Sequence, residues 1–383
     1  MKGTLLNIGD FCTTTQGVQI TKANTSEKPY DGGYRYLYIA DFMSDDNLSY
    51  VDNEFDSKKV TQNDLVMANT GSPGRVFKGK NGILSNNLFK ISFDQNKVDR
   101  DYLFMMLSSD LFQNVLQSQM KGGIQKHLGH KTIARQEIPL PPLPEQQKIA
   151  SILDAADSLR QKDQQLIEKY TALSQSLFLE MFGDPVTNPM GWDKKPLKDV
   201  GIVRTGNTPS RENLEYYGTH IEWIKTNNIN TPSIYLTPAE EYLSEAGLKV
   251  GRCVNAGSLL VTCIAGSKSV IGNVAIADRK VAFNQQINSF TPFEGNVLFF
   301  YSLFKAGKKH IQSFSTDSMK GMINKSKFER IDFITPPLEL QNQFAERIQL
   351  IEAQKQQAQA SLQKSEALFN SLLQRAFKGE LTA

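Results

Sequence analysis

Two stretches of this chain open in the same way: PPLPEQQKIASILDAADSLRQKD from Pro141, and PPLELQNQFAERIQLIEAQKQQA from Pro336, 195 residues later. After Pro142 the apolar positions Ile149, Ile152, Ala156, Leu159, Leu166, Tyr170, Leu173 and Leu177 recur at alternating three- and four-residue steps, broken only at Asp163. After Pro337 the positions Phe344, Ile348, Ile351, Ala358, Leu362, Phe369, Leu372 and Ala376 repeat the rhythm, with Lys355 and Ser365 as polar interruptions. This is the spacing of a helix with one apolar seam, and a seam needs a partner. Each helix is the obvious partner of the other. The Pro-Pro pairs suit a helix entrance, and the related endings LFLEMFGD and LLQRAFKGE carry a glycine where a helix can stop.

The repeat reaches backwards from each helix. IGDFCTTTQG aligns with LKDVGIVRTG, placing Asp10 over Asp199 and Gly17 over Gly206, while DLVMANTGS resembles SLLVTCIAGS and LSNNLFKI resembles FNQQINSF. Each copy then carries an apolar helical stretch and ends in MKGGIQK or MKGMINK. The chain is therefore two copies of one unit, an α+β globular domain followed by a long helix. The boundaries fall at 1–142 and 184–337 for the globular domains and at 143–183 and 338–383 for the helices. The second domain leaves near Phe182 and returns near Leu338, so the helices are expected to run antiparallel as a coiled coil. At 1.5 Å per residue, 40 residues make a rod of roughly 60 Å, predicting a dumbbell with a pseudo-twofold axis across its middle. Antiparallel register also sets Asp163 near Lys355, and a pairing of the two that fixes the seam is one expectation. The alternative is that both reach out to solvent.

At 383 residues with 40% hydrophobic content, the chain can build more than one core. It has no apolar run of membrane-spanning length, and its start lacks a secretory signal, so no membrane partner and a cytoplasmic location are expected. Cys12, Cys253 and Cys263 are scattered without metal-site spacing and read as small hydrophobes. Net charge is +3, distributed as +1 over 1–142, −2 over 143–183, +4 over 184–337 and 0 over 338–383. The excess sits in the globular domains, which permits nucleic-acid binding without requiring it.

Catalytic motifs are not found. Gly74 to Asn81, GRVFKGKN, falls one residue short of a phosphate loop, and Asn81 cannot replace the hydroxyl such a loop offers to magnesium. His127 and His130 have HxxH spacing but no third ligand nearby, so no metal site is expected. Neither a nucleophile elbow nor a dinucleotide-binding turn is present, and Gly266, Ser267 and Lys268 read as a polar hairpin.

Two variable globular domains, each followed by a helix opening PPLPEQ or PPLELQ, resemble the specificity subunit of Type I restriction-modification systems. TGNTPSRENLEYYGTHIEWIKTNNI (Thr205 to Ile229) and VAFNQQI (Val281 to Ile287) resemble stretches common in that family's target-recognition domains. The first domain departs, with GVQITKANTSEKPYDGGYRYLYIADF where the second has GNTPS. The resemblance implies a noncatalytic chain with no cofactor of its own. Each globular domain would read half of a bipartite double-stranded DNA target, and rod length would set the spacer. Two methyltransferase subunits would dock on the helices, bringing S-adenosylmethionine and adenine-N6 chemistry. A restriction and translocation subunit using ATP and magnesium would complete the nuclease. The rival reading is a noncatalytic scaffold whose end domains bind proteins.

Bases are read by Arg, Lys, Asn and Gln, and phosphates are neutralised by Lys and Arg on loops. On that ground the DNA-contact candidates in the first domain are Lys22, Arg35, Arg75, Lys78, Lys80, Lys121 and Lys126. In the second they are Arg204, Arg211, Lys225, Asn227, Lys268, Lys320 and Lys325. Asn87 and Gln286 lie in strand-like stretches and read as structural amides.

Overall fold

The computed structural model describes residues 4–46, 48–52, 54–120, 127–316 and 321–381. The first domain holds strands β1 (Thr4–Asn7), β2 (Cys12–Gln16), β3 (Tyr34–Leu37), β4 (Tyr50–Val51), β5 (Lys59–Val60), β6 (Leu65–Ala68), β7 (Val76–Lys78), β8 (Gly82–Leu84) and β9 (Leu88–Phe93). Helices α1 (Arg100–Ser108), α2 (Asp110–Gln119) and α3 (His130–Ala134) follow, then strand β10 (Glu137–Leu140) and the long helix α4 (Leu143–Phe182).

The second domain opens with strand β11 (Lys194–Pro196) and helix α5 (Leu197–Val200), then β12 (Gly201–Thr205), β13 (Tyr217–Ile224) and β14 (Tyr242–Leu243). Helix α6 (Glu245–Val250) precedes β15 (Cys253–Val254), β16 (Ser258–Thr262), β17 (Ile264–Ala265), β18 (Val274–Ala277), β19 (Val281–Phe283) and β20 (Ile287–Pro292). Helices α7 (Val297–Ala306) and α8 (Lys308–Ser313), strand β21 (Gly321–Met322), helix α9 (Lys325–Glu329), strand β22 (Asp332–Ile334) and the long helix α10 (Leu338–Phe377) complete the chain.

The sheets bear out the internal repeat. Strand order β2-β9-β6-β7 in the first domain matches β12-β20-β16-β18 in the second, β4-β3-β8-β5 matches β14-β13-β19-β15, and β1-β10 matches β11-β22. A parallel pairing of two named strands recurs as well, as β3 beside β8 and β13 beside β19. The second domain adds the pair β17-β21. Gly17 and Gly206 occupy the same place: a Cβ there would run into the carbonyls of Leu84 and Ser85, or of Phe283 and Asn284.

Each domain has a sheet with two buried faces, which is why its central strand carries consecutive apolar residues, Leu65 to Ala68 in β6 and Leu259 to Val261 in β16. In β6, Leu65 and Met67 pack toward α1 and α2, whereas Val66 and Ala68 pack with Leu37, Val60 and Leu84 of the second sheet. In β16, Leu259 and Val261 face Phe299, Phe300 and Phe304 of α7, and Leu260 joins Ile224 and Phe283. The stretch Gly74 to Asn81 contains β7 and leads into β8, so no helix receives a phosphate there.

By internal contacts the chain divides into residues 1–164 with 360–383, and residues 165–359. Both long helices are thus shared. In the first unit Ile149, Ala150 and Leu153 near the start of α4 share a core with Leu373 and Ala376 near the end of α10. In the second unit Phe178 and Phe182 near the end of α4 meet Phe344 near the start of α10, with ring centroids 5.7 and 5.3 Å apart. The two helices therefore run antiparallel. Gly183, at φ 73°, ends α4 in the left-handed conformation that glycine adopts without strain.

The PPLPEQ and PPLELQ openings are clamps. Gln146, fully buried, accepts from the Asp99 N–H (2.9 Å) and donates to the Lys97 and Pro141 carbonyls (2.8 Å each). Gln341 accepts from the Asn296 N–H (3.0 Å) and donates to the Pro336 carbonyl (2.9 Å). Each glutamine ties the first turn of a long helix to the cap of a core helix in its own domain, since Asp99 caps α1 and Asn296 caps α7.

On α10 the expected seam holds, with Phe344, Ile348, Ile351, Lys355, Leu362, Phe369 and Leu372 buried or half-buried. On α4 half of it is corrected. Ile149, Ala156, Asp163 and Leu177 face inward, and Ile152 is half-buried, but Leu159, Leu166 and Leu173 are 45, 40 and 49% exposed. The inward positions between are Leu153, Arg160, Ile167 and Ser174, one residue later. The helix takes this four-three phase because it puts Leu153 and Phe178 into the cores, and a fully buried side chain of that size contributes ~1.5–3 kcal/mol.

The Asp163–Lys355 pairing is also corrected. Both residues are buried, at 8 and 6% exposure, but each finds its partner inside its own unit. Asp163 accepts from the hydroxyls of Ser361 (3.1 Å) and Ser365 (2.9 Å). Lys355 pairs with Glu352 on its own helix at 3.5 Å. Two short hydroxyl donors on the one oxygen Oδ2 stabilise the carboxylate without bringing a second charge into the seam.

Candidate nucleic-acid interface

In the second domain, strand order brings the two sequence patches TGNTPS and FNQQI together. The Gly206 N–H donates to the Ile287 carbonyl at 3.0 Å and the Asn207 N–H to the Phe283 carbonyl at 3.1 Å. The Thr208 hydroxyl bonds Gln285 Oε1, and Thr205 donates to Asn288 Oδ1 at 2.6 Å. Arg252 secures the loop from the other side, through its guanidinium to the Thr205 carbonyl and its N–H to Asn207 Oδ1, 2.8 Å each. Sequence reasoning missed Arg252 and Gln285. The repeated QQ following a strand was the signal for Gln285; nothing local marked Arg252.

Next to this loop stands an oriented guanidinium. Arg211 lies 4.5 Å from the Tyr217 ring centroid and 4.9 Å from that of Trp223, and its NH2 is 2.7 Å from Glu241 Oε2. Lys225 shares Glu241 and lies 5.4 Å from the Trp223 ring. Hydrogen bonds from Lys225 and Arg211 hold the Glu241 carboxyl below the usual carboxylate range against burial. Ring stacking and one carboxylate leave Arg211 half exposed in a fixed plane, which suits a fork that must meet a flat acceptor edge.

The first domain builds a different cluster on the same skeleton. Arg35 NH2 reaches Asp41 at 2.8 Å and Asp45 at 2.6 Å, and Lys80 pairs with Asp45 at 3.1 Å. Bonds from Arg35 and then Lys80 pull the Asp45 carboxyl downward. Asp41 meanwhile caps the turn after β3 by accepting from the Tyr38 N–H at 2.8 Å, as Asn228 does for the Lys225 N–H at 3.0 Å.

The other candidates make their contacts elsewhere. Lys78 pairs with Asp101 at 2.9 Å and Lys325 with Glu329 at 3.2 Å. Arg75 is exposed, 5.3 Å from the Phe77 ring. Lys22, Arg204 and Asn227 are exposed, and Lys268 is exposed in a turn whose carbonyl accepts from Gln312. Lys121, Lys126 and Lys320 lie outside the described residues. Of the two structural amides, Asn87 takes a bond from Thr70 at 2.9 Å, and Gln286 pairs with the Asn284 amide at 3.1 Å.

His130 is held as a structural residue. Its Nε2–H donates to Gln16 Oε1 at 3.0 Å and its Nδ1 accepts from the Thr14 hydroxyl. Burial, His127 and Lys58 lower its pKa. Among the described residues, no group of His, Cys, Asp and Glu is arranged to hold a metal ion. Burial pushes the Cys12 and Cys263 thiols up to about 12, as befits packed hydrophobes.

Residues 4–169 and 189–364 each match the family model of the Type I restriction modification DNA specificity domain. The chain belongs to that family. The Type I restriction enzyme MjaVIII specificity subunit of Methanocaldococcus jannaschii is 26% identical, across 96% of this chain and 91% of that protein. The EcoBI specificity subunit of Escherichia coli is 20% identical, across 92 and 81%. Among solved structures, the S subunit of a Type I restriction-modification system from M. genitalium superposes with a TM-score of 0.62 at 16% identity, covering 98% of this chain and 96% of that one. A chain from a structure on complex assembly and conformational transition of the type I R-M system gives 0.58 at 17%, covering 99 and 98%. The structural likenesses support the fold. No described helix is long and apolar enough to cross a membrane.

Proposed function

We propose that this chain gives a Type I restriction-modification complex its DNA sequence specificity, each globular domain reading one half of a bipartite duplex target. The observation that carries this is the duplication itself: two DNA specificity domains of one topology, each continued by a 40-residue helix. Two readers of different surface chemistry see two different half-sites, and helices of fixed length, roughly 60 Å for 40 residues, set the bases between them. In this reading Arg211 reads a base edge, while Lys22, Arg75 and Arg204 neutralise phosphates. The paired cations Arg35, Lys78, Lys80 and Lys325 would first have to exchange a carboxylate for a phosphate.

The chain supplies recognition, and the chemistry belongs to partners. Two modification subunits on the helices would bring S-adenosylmethionine and adenine-N6 transfer, and a restriction subunit would bring ATP-driven translocation with magnesium. That the relatives are named as subunits of Type I restriction enzymes supports this assignment. A protein-binding scaffold is disfavoured because both end domains, not the helices alone, match the DNA specificity model.

The test is to sequence methylated bases in cells that carry this gene beside its methyltransferase gene, and in cells with this gene deleted. The expected result is a bipartite adenine-methylated motif that vanishes on deletion. An unchanged pattern with the methyltransferase expressed would overturn the reading.

A further inference from the structure

The second unit contains a cationic cleft that the DNA reading does not use. Its own stretches of α4 and α10 close against α7 around a cavity of 130 Å³, lined in part by Tyr301, Lys305, Glu352 and Lys355. A second cavity of 260 Å³ shares Tyr301 and Lys305 and adds Thr231, Asn273 and Lys308. Three lysines thus line two cavities that share a wall, against one carboxylate, Glu352. Lys355 is 6% exposed, and its ion pair among the described residues is with Glu352 on its own helix, at 3.5 Å. Lys308 donates to the neutral Asn273 Oδ1 at 2.6 Å. The Thr231 hydroxyl oxygen is buried without a partner.

We propose that this cleft binds a phosphate-bearing anion. Lys355 is a buried cation whose ion pair stands on its own helix, Lys308 is half-buried against a neutral amide, and Lys305 is exposed on the wall the two cavities share. A phosphate at that wall would give these ammonium groups the charge-assisted acceptor they lack. Although Lys305 is exposed at the cavity wall, desolvation of its ammonium and then the charge of Lys355 lower its pKa, with Glu352 acting against them.

The repeat provides an internal control. Glu352 and Lys355 recur 195 residues earlier as Asp157 and Arg160, paired at 2.6 Å. Arg160 also lines a pocket, of 340 Å³, but there Asp110 and Glu366 stand where the second unit has lysines and neutral groups. Two carboxylates against one guanidinium repel an anion. The site is therefore specific to the second unit.

Isothermal titration of the full chain with inorganic phosphate and with AMP, in chloride buffer of matched ionic strength, tests this. Saturable one-to-one binding is expected, weakened roughly tenfold or more in Lys308→Gln and in Lys355→Gln, since each removes a charge-assisted hydrogen bond. Lys309→Gln, exposed beside the cleft, should bind as the native chain does. Lys308 lies at the cleft's edge, so its variant remains informative if Lys355→Gln fails to fold. Equal affinity for both probes would identify a free phosphate as sufficient, and tighter AMP would identify a nucleotide. Absence of saturable heat with both probes, or binding unchanged in Lys308→Gln, would overturn the proposal.

Discussion

The two globular domains share a backbone and disagree about charge. Tyr36 on β3 pairs with Ile83, and Trp223 on β13 with Ala282, so Arg35 and Glu222 hold the same strand position. In the first domain that position is a cation answered by Asp41 and Asp45. In the second it is an anion answered by Arg279, whose NH2 lies 2.9 Å from Glu222 Oε1. Hydrogen bonding to Arg279 holds the Glu222 carboxyl low. What is kept between the domains is what the backbone needs: a glycine at 17 and 206, a side-chain cap at Asp41 and Asn228, a clamp at Gln146 and Gln341. What changes is the sign of charge the strand carries and the groups that answer it, and surface chemistry is the property a reader of different bases must vary.

The largest expected departure from this symmetry is in the cores beneath the helices. Phe182 is fully buried among Phe178, Phe299 and Phe344, whereas its counterpart 195 residues on, Phe377, is only half-buried. Phe182→Ala should cost ~3–5 kcal/mol, and Phe377→Ala clearly less. Urea unfolding followed by circular dichroism measures both; equal losses would mean the two helix ends are packed alike. The clamps come next. Gln146→Leu and Gln341→Leu each strand a buried N–H, at ~1–3 kcal/mol. Gln146 makes one more hydrogen bond than Gln341, so its loss should be the greater by about 1 kcal/mol.

How legible this molecule was in its sequence differs by level. The repeat, the antiparallel helices and the α10 seam follow from periodicity, because Phe344, Ile348 and Leu362 have no competing apolar row beside them. On α4 two apolar rows compete: Leu159, Leu166 and Leu173 in one, Leu153, Ile167 and Phe178 in the other. Periodicity weighs them equally, and only the cores decide. Asp163 failed for a related reason, since a lysine is a more visible partner on the page than two serines. At the candidate interface, Arg211 and Lys225 were found by residue type, but Glu241 and Trp223, which orient them, are brought there by strand pairing that no local spacing reveals.

The readers themselves are compared by methylation. Arg211→Ala should relax one base in a single half-site, a discrimination of ~1–3 kcal/mol, and leave the other half-site unchanged. Relaxation in both halves, or in neither, would remove Arg211 from base reading. Arg204→Ala in the same domain should instead weaken all sequences alike and lower the salt slope by about 1.

The smallest effect expected is a pH dependence that belongs to the first domain. His130 has a folded pKa depressed by burial, His127 and Lys58, below the ordinary value near ~6.5. As pH falls through that ordinary value, the unfolded chain takes up a proton that the fold refuses. Stability therefore declines from about pH 6.5 down to the depressed folded pKa and levels off below it. The bonds to Thr14 and Gln16 fix the neutral ring at the junction of α3 and β2, so the loss is local to that domain. Thermal unfolding of native chain and His130→Gln between pH 7.5 and 5.5 should show a shallower slope in the variant, whatever its starting stability. Parallel slopes would mean that the acid sensitivity lies in other groups, and that the histidine's burial leaves its protonation indifferent to folding.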